Sequence, residues 1–368
     1  MLFIKRIIMS AGLVRLALGD QHSIILKSDG SVWSTAINLC GPDPSLDVSK
    51  RFAQVIPSGA TDVAAGSAFS MVLKKDGSLW AMGQNYNGQL GDGTKARKGT
   101  LVEADIIPGA IAVAAGGCHS LVLTQEGHVW STGLNNYGQL GYDQLGHGST
   151  SSSSRFRPAI SSGAKAVAAG NLHSVVLMQD GSVWAVGRNY NGQLGDGSKT
   201  DRSSFVEIIS DGTVAVAAGG SHSLVSKQDG SVWATGWNEY GQLGDGSATD
   251  RINYAQVVSS GAKTVAAGRR HSIVLKHDGS VWATGYNEYG QLGDGWTTDR
   301  YVFTQVISDG AMQVAAGAFH SMIAKEDGSI WVTGSNRDGQ FGDGLTASKT
   351  YFVRIAPFDN NNGVEKIQ

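Results

Sequence analysis

The sequence predicts an all-β fold, a seven-bladed β-propeller with four antiparallel strands in each blade, and three observations predict it. One tryptophan recurs at Trp33, Trp80, Trp130, Trp184, Trp233, Trp282 and Trp331, with separations of 47, 50, 54, 49, 49 and 49 residues. The pattern VAAG-xx-HS-xVLKxDGSVWATG-x-N-x-YGQLGDG repeats along the chain in step with it. Glycine outnumbers proline 51 to 6, a balance that suits many tight turns better than disorder. A fixed period of this size belongs to solenoids, propellers or arrays. Four short strands in ~50 residues make one propeller blade, and seven copies fall within the usual four to eight.

Each element follows from the repeat. Thr264–Ala267 is small and apolar, as a strand crowded at a propeller axis must be. His271–Lys276 follows as a second strand. Asp278-Gly279 predicts a two-residue hairpin turn with both central residues at positive φ. It recurs at Asp29-Gly30, Asp76-Gly77, Asp180-Gly181, Asp229-Gly230 and Asp327-Gly328, with Glu126-Gly127 the one variant. Ser280–Thr284 is the third strand and Phe303–Ile307 the fourth, after a long loop. The repeats cover residues 1–368 as one domain. Both Phe3–Ile8 and Tyr351–Ile355 read as fourth strands although one place is vacant, and Val364–Gln368 is a further candidate. One of these is expected to clasp the chain ends and cover an exposed edge.

Composition narrows the function classes. Lys+Arg total 29 and Asp+Glu 31, so no basic footprint asks for nucleic acid or an anionic membrane. The two cysteines, Cys40 and Cys118, show no metal-binding or disulfide spacing and fit a reducing, intracellular compartment. No apolar run approaches the roughly 18–20 residues that cross a bilayer, so membrane insertion is not expected. Met1–Leu18 carries Lys5 and Arg6 without a long apolar run behind them, which makes a poor secretion signal. No GxSxG, HExxH or phosphate-cradling GK[ST] pattern occurs, so no enzyme and no cofactor is expected.

Two repeated features have a functional and a plainer reading. His22, His119, His173, His222, His271 and His320 recur once per copy, with Phe69 in the seventh place. A ring of imidazoles could hold a metal or relay protons. One per blade is too far apart for a single ion at ~2.1 Å, so each is expected to bond backbone within its own blade. The segment Asp196–Asp201 resembles a calcium loop in part, yet the full spacing with its closing glutamate is absent, and a turn with an Asx hydrogen bond is expected. No metal is expected.

The repeat, taken together, resembles that of the chromosome-condensation-regulator (RCC1-like) family across essentially the whole chain. Its ~49-residue spacing and VAAG start are closest in style to bacterial-type repeats such as the β-lactamase-inhibitory propeller. The resemblance implies a binding platform, with family roles that include nucleotide exchange on a small GTPase, enzyme inhibition, chromatin docking and ultraviolet sensing. The sensor's tryptophan beside the histidine is absent: the matching pairs run from Asp20-Gln21 to Ala318-Phe319 without one. The exchange factor's β-wedge has no counterpart. The one insertion, Tyr142–Arg155, is rich in serine and reads as a flexible loop.

The seven copies compare positions internally. Positions fixed in every copy serve the blade, and positions that vary are free to serve a partner. In a four-stranded meander the xx pair before each histidine and the long GxNxYGQLGDG loop lie at one end, which makes that face the candidate binding surface. Its singletons Arg188, Trp237, Arg269, Arg270, Tyr286, Trp296 and Phe319 are the candidate partner-binding residues, being of types that dominate interface hot spots. The repeated Tyr86, Tyr137, Tyr190, Tyr240 and Tyr289 are expected to pack against their own loops. Copy one replaces the glycine loop with Leu39–Ser45. The expected function is a non-enzymatic module, a scaffold or subunit that binds another protein. Exchange-type regulation of a small GTPase and capping of an enzyme active site are the alternatives.

Overall fold

The computed structural model describes residues 13–35, 50–142 and 149–355. They form seven four-stranded antiparallel sheets, each built from four consecutive strands and arranged as a seven-bladed β-propeller. The blades span residues 13–56, 60–103, 110–160, 164–209, 213–258, 262–307 and 311–354, numbered 1 to 7 below.

Blade 6 shows how the repeat becomes structure. Its strands are Ala262–Ala267, His271–Lys276, Val281–Gly285 and Arg300–Ile307. The second strand matches the expectation to the residue. The fourth starts three residues earlier than expected, because the ladder continues to the pair Gly285 and Arg300. Arg300 is held there by its guanidinium, which reaches back 2.6 Å to Asp294.

The Asp-Gly hairpin differs from the expected two-residue turn. Gly279 N donates to Lys276 O and Lys276 N to Ser280 O, so the loop holds three residues, with Gly279 left-handed at φ 79°. Asp278 accepts the Ser280 amide at 2.8 Å, and Ser280 Oγ accepts the Trp282 indole N–H at 3.1 Å. The text D-G-S-x-W therefore specifies one unit: a turn, its side-chain cap and an anchored tryptophan. In blade 3, where Glu126 replaces aspartate, the His128 amide turns to Thr124 Oγ1 instead.

Blades adhere through seven apolar clusters, one at each seam between neighbours. Side chains such as Val274 and Leu275 are fully buried there, each burial stabilising by about 1.5–3 kcal/mol. The seam between blades 7 and 1 is built like the rest, with Leu16, Ile25, Met322 and Phe341 in one cluster. Ala318 N also donates to Gly19 O at 3.2 Å across it. The place expected to be vacant is filled: blade 7 takes Lys349–Arg354 as its fourth strand and blade 1 takes Ala53–Ile56. Phe3–Ile8, Leu39–Ser45 and Val364–Gln368 lie outside the described residues.

The histidines bind between blades, not within them, which corrects the expectation. His222 Nε2 lies 3.0 Å from Ser272 Oγ of the next blade. Ser272 donates its own proton to Gln242 O at 2.6 Å, so it accepts from the imidazole, and Nε2 carries the hydrogen. The same link joins His22 to Ser70, His119 to Ser174, His173 to Ser223, His271 to Ser321 and His320 to Ser23. Each ring lies on the glycine that closes the first strand. At Gly268 an added Cβ would overlap both the His271 ring and the Gly317 carbonyl.

Candidate protein-binding face

The two loop sets expected at one end of the ring do meet there. Tyr286 N donates to Arg270 O, Trp237 N to Ser221 O, Arg188 N to Leu172 O and Ser335 N to Phe319 O, all at 2.7–2.9 Å. Each residue after a third strand is thereby fixed beside the residue that precedes a seam histidine.

A buried asparagine holds each long loop among the described residues. Asn287 accepts the Leu292 amide at 3.0 Å and donates to Asp294 Oδ1, Trp296 O and Thr298 O at 3.0–3.1 Å. With both polar atoms of the asparagine side chain engaged, it holds the loop in a defined shape. The residue after this asparagine is exposed in every described copy: Tyr86, Asn136, Tyr190, Glu239, Glu288 and Arg337. The next residue is half-buried in every described copy: Asn87, Tyr137, Asn191, Tyr240, Tyr289 and Asp338. The five loop tyrosines thus split into two kinds. Tyr86 and Tyr190 stand 63% and 67% exposed. Tyr240 and Tyr289 turn sideways onto the neighbouring blade.

That turn builds a continuous aromatic strip. Trp237 meets Tyr240 edge-on with centroids 5.3 Å apart, and Tyr240 meets Tyr286 of the next blade at 4.9 Å. Tyr286 lies 6.2 Å from Tyr289 and 6.3 Å from Phe319 of blade 7, and Tyr289 and Phe319 are 5.3 Å apart. Arg270 sits over three of these rings, its Cζ 5.4 Å from Trp237, 5.1 Å from Tyr240 and 5.5 Å from Tyr286. Arg269 lies 6.0 Å over Phe319, and Arg337 lies 4.9 Å over Tyr289. Edge-on ring pairs and cation–π contacts fix the strip without closing it, since its members remain half-exposed.

Beside the strip opens the axial cavity, about 310 Å³, walled by the alanines and glycines of the seven first strands. Asp20, Ser67, Asn171 and Arg269 stand at its mouth. Asp20 is 3.7 Å from Arg269, yet burial pushes its carboxyl above the ordinary range, outweighing the lowering by Arg269 and the Ser67 hydroxyl. The Tyr286 hydroxyl donates to the Glu288 carboxylate, and loss of water and that anion hold it well above the usual phenol range.

The RCC1-like domain model matches residues 5–264 and again 107–368. The chain belongs to the RCC1-like domain family. Solved structures share its fold. Human WBSCR16 is 23% identical with a TM-score of 0.75, over 89% of this chain and 93% of that one. Prp20p of Saccharomyces cerevisiae, described with its binding properties to Gsp1p and histones, is 22% identical with a TM-score of 0.71, over 83% and 80%. A structure of yeast RCC1 (Prp20) with Kap60 bound gives 18% identity and a TM-score of 0.78, over 96% and 86%. At these identities the likeness speaks for the fold alone. No curated protein matches the chain.

Within this RCC1-like face, five of the seven predicted residues come together: Trp237, Arg269, Arg270, Tyr286 and Phe319. Arg188 belongs to a second group, its Cζ 5.3 Å from Tyr137 and 5.8 Å from Tyr190. Trp296 stands apart at the tip of its loop, 64% exposed, with no ring contact among the described residues. Tyr240, Tyr289 and Arg337 were not among the predicted set. Counting from the buried asparagine, one residue against two, would have marked the first two.

The loops once compared with calcium sites hold their own counter-charges. Asp196 accepts from Asn189 Nδ2 at 2.9 Å and Ser198 Oγ at 2.8 Å, and pairs with Arg202 at 2.7 Å. Asp245 with Arg251 and Asp294 with Arg300 repeat the arrangement. Part of the serine-rich insertion is ordered as well. Asn135 donates to Ser149 O and Ser151 O, and Ser153 begins the fourth strand of blade 3.

Proposed function

We propose that this chain works as one non-enzymatic protein-binding propeller, a scaffold or assembly subunit, that receives its partner on the loop face of blades 5 to 7. One observation carries the reading. The strip from Trp237 to Phe319, with Arg270 laid over three of its rings, spans three blades and is made at positions that differ from copy to copy. A residue the blade does not need, of the types that dominate hot spots, is retained for contact. Trp237, Arg269, Arg270, Tyr286 and Phe319 form the centre of the interface, with Arg188 and Trp296 at its margins.

The yeast propeller of the same fold, described with Gsp1p and histone binding and with Kap60 bound, supports a protein as the partner class. Charge balance and ring-stacked arginines favour a protein over nucleic acid, which is held by extended basic surfaces. The test is affinity capture of the tagged propeller from its native extract, beside the Trp237→Ala/Arg270→Glu variant. A stoichiometric partner retained by the parent and lost by the variant is the expected result. A partner that persists on the variant moves the site elsewhere, and no retained partner overturns the binding reading.

A further inference from the structure

We propose that the partner segment docking on this face is acidic, its Asp or Glu carboxylates settling on the outward edges of Arg270 and Arg337 with Arg269 alongside. The inference rests on the protein-binding reading above and names the chemistry of the segment received.

Two sets stand out among the described arginines. Arg202, Arg251 and Arg300 each pair with a carboxylate of their own loop at 2.6–2.7 Å. Arg15 and Arg155 pair with Asp62 and Asp105. On the loop face the pattern stops. Arg188, Arg270 and Arg337 form no ion pair among the described residues, and Arg269 reaches Asp20 only at 3.7 Å. These four lie over aromatic rings instead.

A guanidinium laid on a ring uses its flat face there and keeps its five N–H donors in the plane, where a carboxylate can bind through two of them. At Arg270 the outer end of the fork is largely unspent, Nη1 having only the Tyr240 hydroxyl at 3.5 Å, while Nε is buried behind it. Four of the face's own carboxylates accept hydrogen bonds elsewhere. Glu288 accepts from Tyr286, Asp250 and Asp299 accept the Asn238 and Asn287 amides, and Asp338 accepts from Gln340 Nε2. Guanidinium edges over an apolar aromatic floor complement a short peptide that mixes acidic and apolar residues. A polyphosphate backbone asks instead for a basic track, and the chain's net charge is −2.

A random twelve-residue peptide library displayed on phage and panned against the whole propeller tests this. The expected outcome is enrichment of Asp and Glu beside apolar residues. The best peptide should weaken at least ten-fold on Arg270→Gln/Arg337→Gln and lose affinity as salt rises. Arg270→Lys should fall between, keeping the charge and losing the fork. A melting temperature for each variant within a few degrees of the parent shows that the ring is intact. Neutral or basic winners, no enrichment, an acidic peptide indifferent to the substitutions, or tighter binding of a dT12 oligonucleotide would each overturn the proposal. A partner captured through Trp237 in an extract, with no acidic enrichment here, removes this inference and leaves the protein-binding reading standing.

Discussion

At six seams a histidine of one blade meets a serine of another, and five of these serines pass their proton on to a glutamine carbonyl. On the loop face, a few residues away, the positions just before those histidines hold Gln21, Cys118, Leu172, Ser221, Arg270 and Phe319, with Ala68 before Phe69 in the seventh copy. Seam and face are read from the same seven copies, and only the seam is copied faithfully. The seam repeats one buried imidazole-to-serine bond at six places, where one unpaired donor costs about 1–3 kcal/mol. The face meets water, so its positions are free to differ from copy to copy.

Acid should separate the two regions most strongly. Burial holds the seam histidines neutral, with His22, His119 and His222 lowered to about 4 and His173, His271 and His320 to about 3. The unfolded chain takes up their protons near pH 6.5, so their stability is complete above that value. It is lost as pH falls toward the folded values. At pH 5 each histidine loses about 2 kcal/mol, on the order of 10 kcal/mol together. Urea melts at pH 7 and pH 5 should show this fall; equal midpoints would mean the imidazoles are not buried neutral.

Next in size is Gly268→Ala, whose methyl has no room between the His271 ring and the Gly317 carbonyl. It should destabilise by about 3 kcal/mol in the same assay. Ser272→Ala should follow at about 2 kcal/mol, because it orphans His222 Nε2–H at pH 7. Smallest is the face: Tyr86→Ser should leave stability within about 0.5 kcal/mol of the parent. A face substitution as damaging as Ser272→Ala would erase the contrast between the regions.

The same contrast explains what was legible. A pattern repeated seven times announces its strands, and His271–Lys276 was read to the residue. Contacts between copies do not show in the pattern of one copy. The serine after each histidine is the seam partner of the preceding blade, yet it reads as one more strand residue. The hairpin was misjudged by one residue because Asp-Gly fits both a two-residue turn and a type I turn closed by a left-handed glycine. On the face, the singletons Arg270 and Trp237 lie together in the aromatic strip. The tyrosines were harder, because Tyr190 and Tyr240 look alike until counted from Asn189 and Asn238, one step and two. That single step decides whether a ring points to solvent or across to the next blade. Trp296 shows the converse, a singleton that the fold carries away from the strip.

The most direct test of the central claim is amide hydrogen exchange on the propeller with and without its captured partner. Slowed exchange confined to 237–240, 269–270, 286–289 and 319 is the predicted result. Protection centred on the Asp-Gly hairpins at the opposite end, with those segments unchanged, would contradict it.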